Sequence, residues 1–412
     1  MDIRREDREV LRTLSAKYMG YALSDKNNEK RELWRALNHG SMQKPMIAID
    51  QMPWNELDVD GSLVCIVEHP YFRGVEWTLR SEIYKWEHLP ADMVLNPYIL
   101  LPRPTRNTGY GVGWKRTTLA TDVTNSVVAQ HFENQFEEME DVEKIQTPVV
   151  TIDRAAEAEI IAAAQDIFAG IAPVKMQGMI LHLGFWDFIS QWMGVENCYI
   201  ELMDRPELMH AIMERLTVAT ISQIEQINAL GLYDINGNMC HCSYTFDDRL
   251  PSDVCDRDNP TTHDGWAFGL AQLFTSVSPA ITAEFEVPYM QRLFPYFGSI
   301  YYGCCDRLDD RLDVIDRMPN IRKISCSPWS ERERFAANLP KKYIMSNKPN
   351  PALLAETTFD EAAVRKDLRR TIAAAKAHGL GLEMILKDIS TVKYDPQRLW
   401  RWSEIALEET MR

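Results

Sequence analysis

The sequence has few cysteines and no long apolar segment. Only eight of its 412 residues are cysteines, too few for a disulfide framework, so a reducing compartment is expected. The first residues, MDIRREDREVLRTL, lack the apolar core of a signal peptide. No run of about 20 apolar residues occurs, as a membrane-spanning helix would require. We therefore expect a cytoplasmic protein that does not cross a membrane.

Positive charge and the common phosphate and hydrolase motifs are also scarce. The 45 Lys and Arg residues face 60 Asp and Glu residues, which gives a net charge of −15. Nucleic acids and anionic membrane surfaces attract proteins with a positive field, so we expect neither as a partner. The sequence has no P-loop, G-x-S-x-G or H-E-x-x-H motif. The segment GYGVGW (109–114) lacks the G-x-G-x-x-G spacing and is interpreted as a hairpin turn.

Strand and helix patterns alternate through the C-terminal third of the chain. Strands are predicted at 299–304, 321–329, 341–351 and 382–390, and helices at 309–318, 330–339, 359–379 and 395–411. Short links between such units require a parallel sheet with right-handed crossovers. Looser patterns, with strands at 45–50, 175–185 and 232–237 and helices at 204–231 and 278–298, raise the count to seven or eight units. This count predicts a (β/α)8 barrel, with a doubly wound open sheet as the alternative.

Two segments do not follow this repeat. Residues 1–44 are predicted to form a helical extension, which leaves 45–412 for the barrel. Within the barrel, about 55–150 is interpreted as a β-rich insertion that caps one end. Its predicted strands are VCIVE (64–68), MVLNPYILL (93–101) and GVGWKRTTLATDV (111–123).

Sulfur-bearing and charged side chains collect where the predicted strands end. In a parallel barrel these ends meet at one face, which is where active sites lie. The four C-terminal strands are followed by Cys304, Cys305 and Asp306; by Cys326, Ser327 and Trp329; by Asn347, Lys348 and Asn350; and by Lys387, Asp388 and Ser390. The loop 236–251 adds Cys240, His241, Cys242 and Tyr244. We therefore expect these groups to share one pocket.

A zinc site is one interpretation of this pocket. Thiolates combined with imidazole or carboxylate are zinc ligands, and a catalytic site keeps one position open for substrate. The candidate ligands are Cys304, Cys305, His241 and Glu286, with Glu383 as a further carboxylate. The alternative is that the strand cysteines are buried packing residues.

The charged and aromatic side chains give the remaining candidates. Lys387 and Asp388 are interpreted as an acid–base pair or a carboxylate-binding pair, with Asp306 as a further catalytic carboxylate. A structural ion pair is the alternative. The predicted substrate-binding residues are Tyr302, Trp329, Lys348, Asn350 and Tyr244, whose rings would form a wall for a flat substrate or simply pack in the core.

The same segments resemble a known family. YYGCCDRLDDRLDVIDRMPNIRKISCSPW (301–329), SNKPNPALLA (346–355) and LEMILKDISTVKYDPQRLWRW (382–402) resemble the uroporphyrinogen decarboxylase superfamily, as does LMDRPELMHAIMERLT (202–217). Within it, the likeness is to the branch that includes the corrinoid-dependent methyltransferases of anaerobes. It covers about 175–412 and implies a (β/α)8 barrel with its site at the C-terminal mouth.

The chain departs from the family pattern at two places. True uroporphyrinogen decarboxylases carry an early Arg-Gln-Ala-Gly-Arg segment, whereas 41–57 here is SMQKPMIAIDQMPWNEL, so porphyrinogen decarboxylation is not expected. The family's zinc methyltransferases have a His-x-Cys pair after a late strand, where this chain has Tyr302-Gly303-Cys304. A substitute ligand would come from Cys305, His241 or Glu286.

The resemblance implies a methyltransferase that demethylates a small methylated compound, such as an aryl methyl ether. The methyl group would pass to the cobalt of a separate corrinoid protein, with zinc anchored by Cys304. The first alternative is a metal-free decarboxylase or lyase, in which Lys348 and Lys387 bind substrate carboxylates. The second is a non-catalytic protein that docks a corrinoid domain. Barrels of this size often pair, which leaves a homodimer open.

Overall fold

The computed structural model describes residue 1, residues 3–120 and residues 128–412. The helices are, in chain order, α1 (Arg5–Ala22), α2 (Asp25–His39), α3 (Pro70–His88), α4 (Arg154–Ile167), α5 (Phe185–Met193), α6 (Val195–Asp204), α7 (Pro206–Ala229), α8 (Pro279–Phe285), α9 (Val287–Leu293), α10 (Leu312–Ile315), α11 (Arg332–Asn338), α12 (Ala352–Ala355), α13 (Glu361–His378) and α14 (Gln397–Thr410).

The strands are β1 (Met46–Ile49), β2 (Ile99–Pro102), β3 (Thr105–Asn107), β4 (Arg116–Ala120), β5 (Val128–Phe132), β6 (Val150–Ile152), β7 (Val174–Gln177), β8 (His182–Leu183), β9 (Met239–Cys240), β10 (Ser243–Tyr244), β11 (Trp266–Gly269), β12 (Ser299–Tyr302), β13 (Ile321–Cys326), β14 (Ile344–Asn347) and β15 (Gly381–Leu386). Within the described residues, no helix has the length and apolar character needed to cross a membrane.

A seven-stranded parallel sheet forms the centre of the fold. Its order is β1-β15-β14-β13-β12-β11-β8, and every neighbouring pair is parallel. All residues of β1, β12 and β14 are buried, as expected for parallel strands that helices cover on the outside. The predicted α/β class and the four C-terminal strand–helix units are confirmed.

The predicted closure of the sheet into an eight-stranded barrel stays a prediction. In the part of the chain that the structure describes, β1 and β8 are the edge strands, and β2 pairs with β7 in a separate parallel ribbon. Irregular backbone covers the edge at β1, where the Asp92 N–H donates to the Ile47 carbonyl over 2.9 Å. The Asp92 carboxylate accepts from the Ile47 N–H over 2.9 Å.

The sequence pattern predicted a β-rich insertion at about 55–150, but part of this segment is helical. Residues 70–88 form α3, and 64–68 form no strand. Pro70 occupies the first turn of α3, and Phe72, Val75, Leu79 and Ile83 are buried at helical spacing, which is the signal that the prediction missed. The strand predicted at 111–123 corresponds to β4, and its residues 121–123 lie outside the described residues.

The N-terminal helices and α3 build a second hydrophobic core. Helices α1 and α2 lie within residues 1–44, and the division of the chain at residue 44 stays a prediction. Leu11 and Tyr18 of α1 pack with Phe72 of α3 and Ile160 of α4, apart from the larger core around the central sheet. The insertion is therefore packed on the N-terminal extension at this core.

The insertion is also fastened to α7 on the outside of the sheet. The hydroxyl groups of Tyr110 and Thr220 lie 2.7 Å apart. The Gln226 side-chain oxygen accepts from the Val150 N–H over 2.9 Å. These contacts fix the loop that precedes β4, through Tyr110, and the start of β6, through Val150, against a helix of the main α/β layer.

The interior of the sheet holds a fully buried ion pair. The Lys323 ammonium of β13 lies 2.7 Å from Glu383 Oε2 of β15, and neither side chain is exposed. The same ammonium donates to Ser243 Oγ over 2.6 Å and to the Tyr244 carbonyl over 3.0 Å. Lys323 therefore ties the hairpin β9–β10 to two central strands.

Breaking this pair is expected to destabilise the protein strongly. Lys323→Met leaves the Glu383 carboxylate buried without its cation, and such a change costs about 3–5 kcal/mol of unfolding free energy. Urea unfolding followed by circular dichroism measures it. The control Arg292→Met removes a half-exposed pair with Glu214 and is expected to cost less than about 1 kcal/mol. Equal losses in both variants would contradict the assigned role of the buried pair.

Candidate active site

Cys304 lies just beyond the carboxyl end of β12, on a turn that requires glycine. Gly303 has a φ of 87°, which favours glycine. A Cβ atom there would lie 2.6 Å from Leu308 Cδ1 and 3.1 Å from Ser325 Cβ. The turn buries Cys304, whose exposure is 4%. Its position at the carboxyl end of the sheet is the one expected from the sequence.

Four side chains surround the sulfur of Cys304 or adjoin its neighbours. The sulfur lies 2.8 Å from Lys387 Nζ, 3.2 Å from His241 Nε2 and 3.4 Å from Cys305 Sγ. Cys305 Sγ also lies 3.1 Å from Asp388 Oδ2. These five residues, Cys304, Cys305, His241, Lys387 and Asp388, are called the Cys304 cluster below. The structure thus brings together five of the residues predicted from the sequence.

A tight hairpin carries His241 into the cluster. His241 follows β9 directly and has a φ of 54°, a conformation uncommon for residues with a side chain. Its ring stacks on Phe268 of β11 with a centroid distance of 4.5 Å. Strained backbone of this kind persists only where the surroundings hold it, and it concentrates at functional sites.

Lys387 and Asp388 follow β15 and connect the cluster to solvent. The Lys387 side chain is 2% exposed, whereas that of Asp388 is 46% exposed, and the two charges lie 3.3 Å apart. Asp388 also has a positive φ, of 56°. The pair therefore spans the distance between the buried sulfur and the open face of the site.

The electrostatics of the cluster favour a thiolate at Cys304. Hydrogen bonding from Cys305, together with His241 and Lys387, outweighs burial and lowers the pKa of Cys304 to about 3. The pKa of Cys305 is raised, chiefly because its thiol donates to Cys304. The two adjacent cysteines therefore differ in protonation at neutral pH, one a thiolate and the other a thiol.

His241 and Lys387 carry the compensating positive charge. Burial lowers the pKa of His241, but the sulfurs of Cys242 and Cys304 outweigh it and raise that pKa to about 9. Burial lowers the pKa of Lys387, but the nearby sulfurs, of which Cys304 has the largest effect, outweigh it and raise that pKa. The cluster at neutral pH is therefore a thiolate held between an imidazolium and an ammonium.

A second buried group of polar side chains adjoins the cluster. Lys348 Nζ donates to Ser346 Oγ over 2.9 Å and to the Tyr301 hydroxyl. The Cys242 sulfur lies 4.0 Å from that hydroxyl. Burial raises the pKa of Cys242, but the charges of Lys348 and His241 outweigh it, so the pKa is lowered. Lys348, predicted to bind substrate, is 2% exposed and engaged by these neighbours.

The predicted ligand Glu286 and the predicted catalytic residue Asp306 lie in buried surroundings. Glu286 accepts a hydrogen bond of 3.3 Å from the hydroxyl of Tyr302, a predicted substrate-binding residue, and burial raises its pKa well above the usual range. Asp306 accepts from the Cys304 N–H over 2.8 Å, and burial raises its pKa to about 6. No contact among the described residues joins Glu286 to the sulfurs of the cluster.

Three other predicted substrate-binding residues lie elsewhere. Tyr244 is buried with its ring 5.0 Å from that of Trp34. Trp329 is 73% exposed. Asn350 accepts from the Ala352 N–H over 3.0 Å at the start of α12. None of the contacts described for these residues reaches the Cys304 cluster, and their role in binding stays a prediction.

The residues of the cluster do not fit a zinc ion as they are arranged. Their donor types suit zinc. Among the residues that the structure describes, however, no three His, Cys, Asp or Glu side chains are arranged so that they could hold a metal ion. The Lys387 ammonium, 2.8 Å from the Cys304 sulfur, would also repel a divalent cation bound there. A zinc ion would therefore have to displace Lys387.

Comparisons with known proteins bear on the fold. No family model matches the chain. No curated protein matches it either. A solved structure described as a methyltransferase from Methanosarcina mazei superposes with a TM-score of 0.50 and 12% sequence identity, over 92% of this chain and 97% of that one. At this identity the likeness shows a shared arrangement of helices and strands.

Ultraviolet absorbance is expected to detect the thiolate of Cys304. An ordinary thiol has a pKa of about 8.5 and is protonated at neutral pH. Because the pKa of Cys304 is lowered to about 3, Cys304→Ala is expected to remove thiolate absorbance at neutral pH. The control Cys326→Ala is expected to remove none, since burial raises the pKa of Cys326 to about 12. Identical neutral spectra for the two variants would show that Cys304 is protonated.

Metal analysis is expected to find well below one zinc per chain in the purified wild type. The reason is the ammonium beside the Cys304 sulfur. Lys387→Ala removes that charge and is expected to increase zinc uptake, measured by elemental mass spectrometry after equilibration with zinc. The control Lys376→Ala changes an exposed lysine and is expected to match the wild type. One zinc per wild-type chain, lost in Cys304→Ala, would contradict the expectation.

Proposed function

We propose that this chain is a methyltransferase that removes the methyl group of a small methylated substrate, with an aryl methyl ether as the favoured class. The methyl group passes to the reduced cobalt of a separate corrinoid protein. The observation that carries the proposal is the pairing of a thiolate and an imidazolium, Cys304 and His241, at the carboxyl end of a parallel sheet. The family resemblance of 175–412 and the fold shared with a methyltransferase agree with it.

His241 is the proton donor in this proposal. An ether oxygen leaves poorly as an anion, so demethylation benefits from a proton delivered as the bond breaks. His241 is protonated at neutral pH because its pKa is raised to about 9. The methyl carbon is attacked by the cobalt, the carbon–oxygen bond breaks with its electron pair going to oxygen, and that oxygen takes the His241 proton. The product is the free hydroxyl compound.

Cys304 acts as a positioning residue. Its thiolate accepts a hydrogen bond from His241 and keeps the imidazolium charged and oriented, in the way that carboxylates serve in other acid–base sites. Burial to 4% exposure limits its direct access to substrate. No step of this reaction uses zinc, and the metal analysis above tests the zinc set expected from the sequence, Cys304, Cys305, His241 and Glu286.

Lys387 and Asp388 return the proton. Lys387 Nζ lies 3.4 Å from His241 Nε2 and 3.3 Å from Asp388 Oδ2. Since the Asp388 side chain is 46% exposed, this row of groups leads from the imidazole to water. His241 is protonated again along it after each turnover, which gives both residues the acid–base role expected from the sequence.

The alternative, a metal-free decarboxylase or lyase, has less support from the geometry. It requires Lys348 and Lys387 to bind substrate carboxylates. Each ammonium is 2% exposed and already contacts protein groups, Ser346 and Tyr301 for the first and Cys304 for the second. A carboxylate substrate would have to replace these contacts.

Methyl transfer to cobalt tests the proposal directly. The wild type, mixed with a reduced corrinoid protein and a panel of methoxyarenes and methylamines, is expected to methylate the cobalt, followed by its visible absorbance. The rate is expected to fall as the pH rises through about 9, because His241 then loses its proton. His241→Gln is expected to lower the rate about 10²–10⁴-fold.

The matched control is His210→Gln. His210 lies on α7, where its ring contacts Tyr289, and the variant is expected to keep the wild-type rate. Absence of cobalt methylation across the whole panel would overturn the proposed function. Equal rates for the two histidine variants would leave methyl transfer in place and remove His241 as its acid.

A further inference from the structure

A cleft lined by aromatic rings lies beside the Cys304 cluster. It has a volume of about 560 Å³, within the range of about 300–1,000 Å³ usual for small-molecule sites. Tyr110 and Trp114 line it from the insertion, Phe188 and Trp192 from α5, and His182 from β8. These five residues define what is called the aromatic cleft below.

The rings of the aromatic cleft hold one another in place. The Phe188 centroid lies 5.4 Å from that of Tyr110, 5.5 Å from that of His182 and 6.1 Å from that of Trp192. Trp114, in contrast, is 56% exposed, and Ile180 beside it is 62% exposed. The cleft therefore combines a packed aromatic floor with apolar groups that a ligand would cover.

A single ring separates the aromatic cleft from the proposed proton donor. The centroid of His182 lies 4.8 Å from that of Phe268, at an interplanar angle of 84°. The other neighbour of Phe268 is His241, stacked on it at 4.5 Å. Phe268 is 8% exposed and does not line the cleft, so two ring contacts join His182 of the cleft to the His241 imidazole.

The charges around the cleft select an uncharged ligand. Within the described part of the chain, its lining contains no Asp, Glu, Lys or Arg, and its polar side-chain groups are those of Asn107, Tyr110, Trp114, His182, Trp192 and Gln223. The Arg116 guanidinium lies 4.8 Å from the Trp114 ring centroid, which disfavours a cationic ligand at the outer end. A charged group on a ligand would lose its hydration in the cleft, and no charged side chain in the lining would compensate for that loss.

We propose that the aromatic cleft binds the methyl donor, and that this donor is an uncharged aromatic compound with a methoxy group. Its ring packs against Trp114 and Phe188, and its methoxy oxygen points towards His182, which ring contacts through Phe268 join to His241. The identity of the ligand as methyl donor rests on the proposed function. Binding of an uncharged aromatic compound to the cleft does not depend on it.

Calorimetric titration of the full chain with 1,2-dimethoxybenzene tests the binding. Saturable binding is expected, and Trp114→Ala is expected to raise its Kd at least about tenfold through loss of an aromatic contact. The control Trp77→Ala removes a half-exposed tryptophan on α3 and is expected to leave the Kd unchanged. The charged probes tetramethylammonium and 3,4-dimethoxybenzoate are expected to bind more weakly than 1,2-dimethoxybenzene.

Three results would overturn this inference: no binding of 1,2-dimethoxybenzene, equal Kd values for the two tryptophan variants, or tighter binding of a charged probe. Cobalt methylation with an unchanged KM in Trp114→Ala would show that the donor binds elsewhere. Binding that is lost in Trp114→Ala, combined with no cobalt methylation, would overturn the proposed function and leave the cleft as an aromatic binding site.

Discussion

The buried ion pair of Lys323 and Glu383 fixes the geometry on which the site depends. Its ammonium also holds the hairpin β9–β10 through Ser243 and the Tyr244 carbonyl. That hairpin holds His241 at a positive φ of 54°, which is uncommon for a residue with a side chain. The buried Lys323 ammonium, which is not part of the Cys304 cluster, therefore helps to fix the position of the His241 imidazole.

Charge balance in a small buried volume explains the composition of the site. The lowered pKa of Cys304 places negative charge on its sulfur, and His241 and Lys387 supply the cations that make this tolerable. Adjacent cysteines thus divide their tasks, one holding charge and the other donating a hydrogen bond. The Lys387 ammonium, 2.8 Å from the Cys304 sulfur, balances part of this negative charge.

The sequence allowed most strands of the central sheet and most of the Cys304 cluster to be predicted, whereas the central strand β11 was missed. Cys304, Lys387 and Asp388 were expected together because they follow buried strands. His241 was expected after a strand at 232–237, which the structure does not form, and it follows the hairpin strand β9 instead. The helix α3 was missed within a segment interpreted as β-rich, although its apolar residues follow helical spacing. The aromatic cleft was not predictable, since Tyr110 and Phe188 meet only after the insertion packs on α7.

Two contacts attach the insertion to α7: Tyr110 with Thr220, and Val150 with Gln226. Substrate binding and proton transfer, as proposed, therefore lie on different parts of the chain. The acid–base groups stand on loops of the central sheet, while one wall of the aromatic cleft stands on the insertion. Under the proposed function, exchange of residues 108–115 is expected to alter the choice of small molecule and to leave the loop that holds the imidazole unchanged. What the proposed site binds and how it moves protons thus rest on separate parts of the chain.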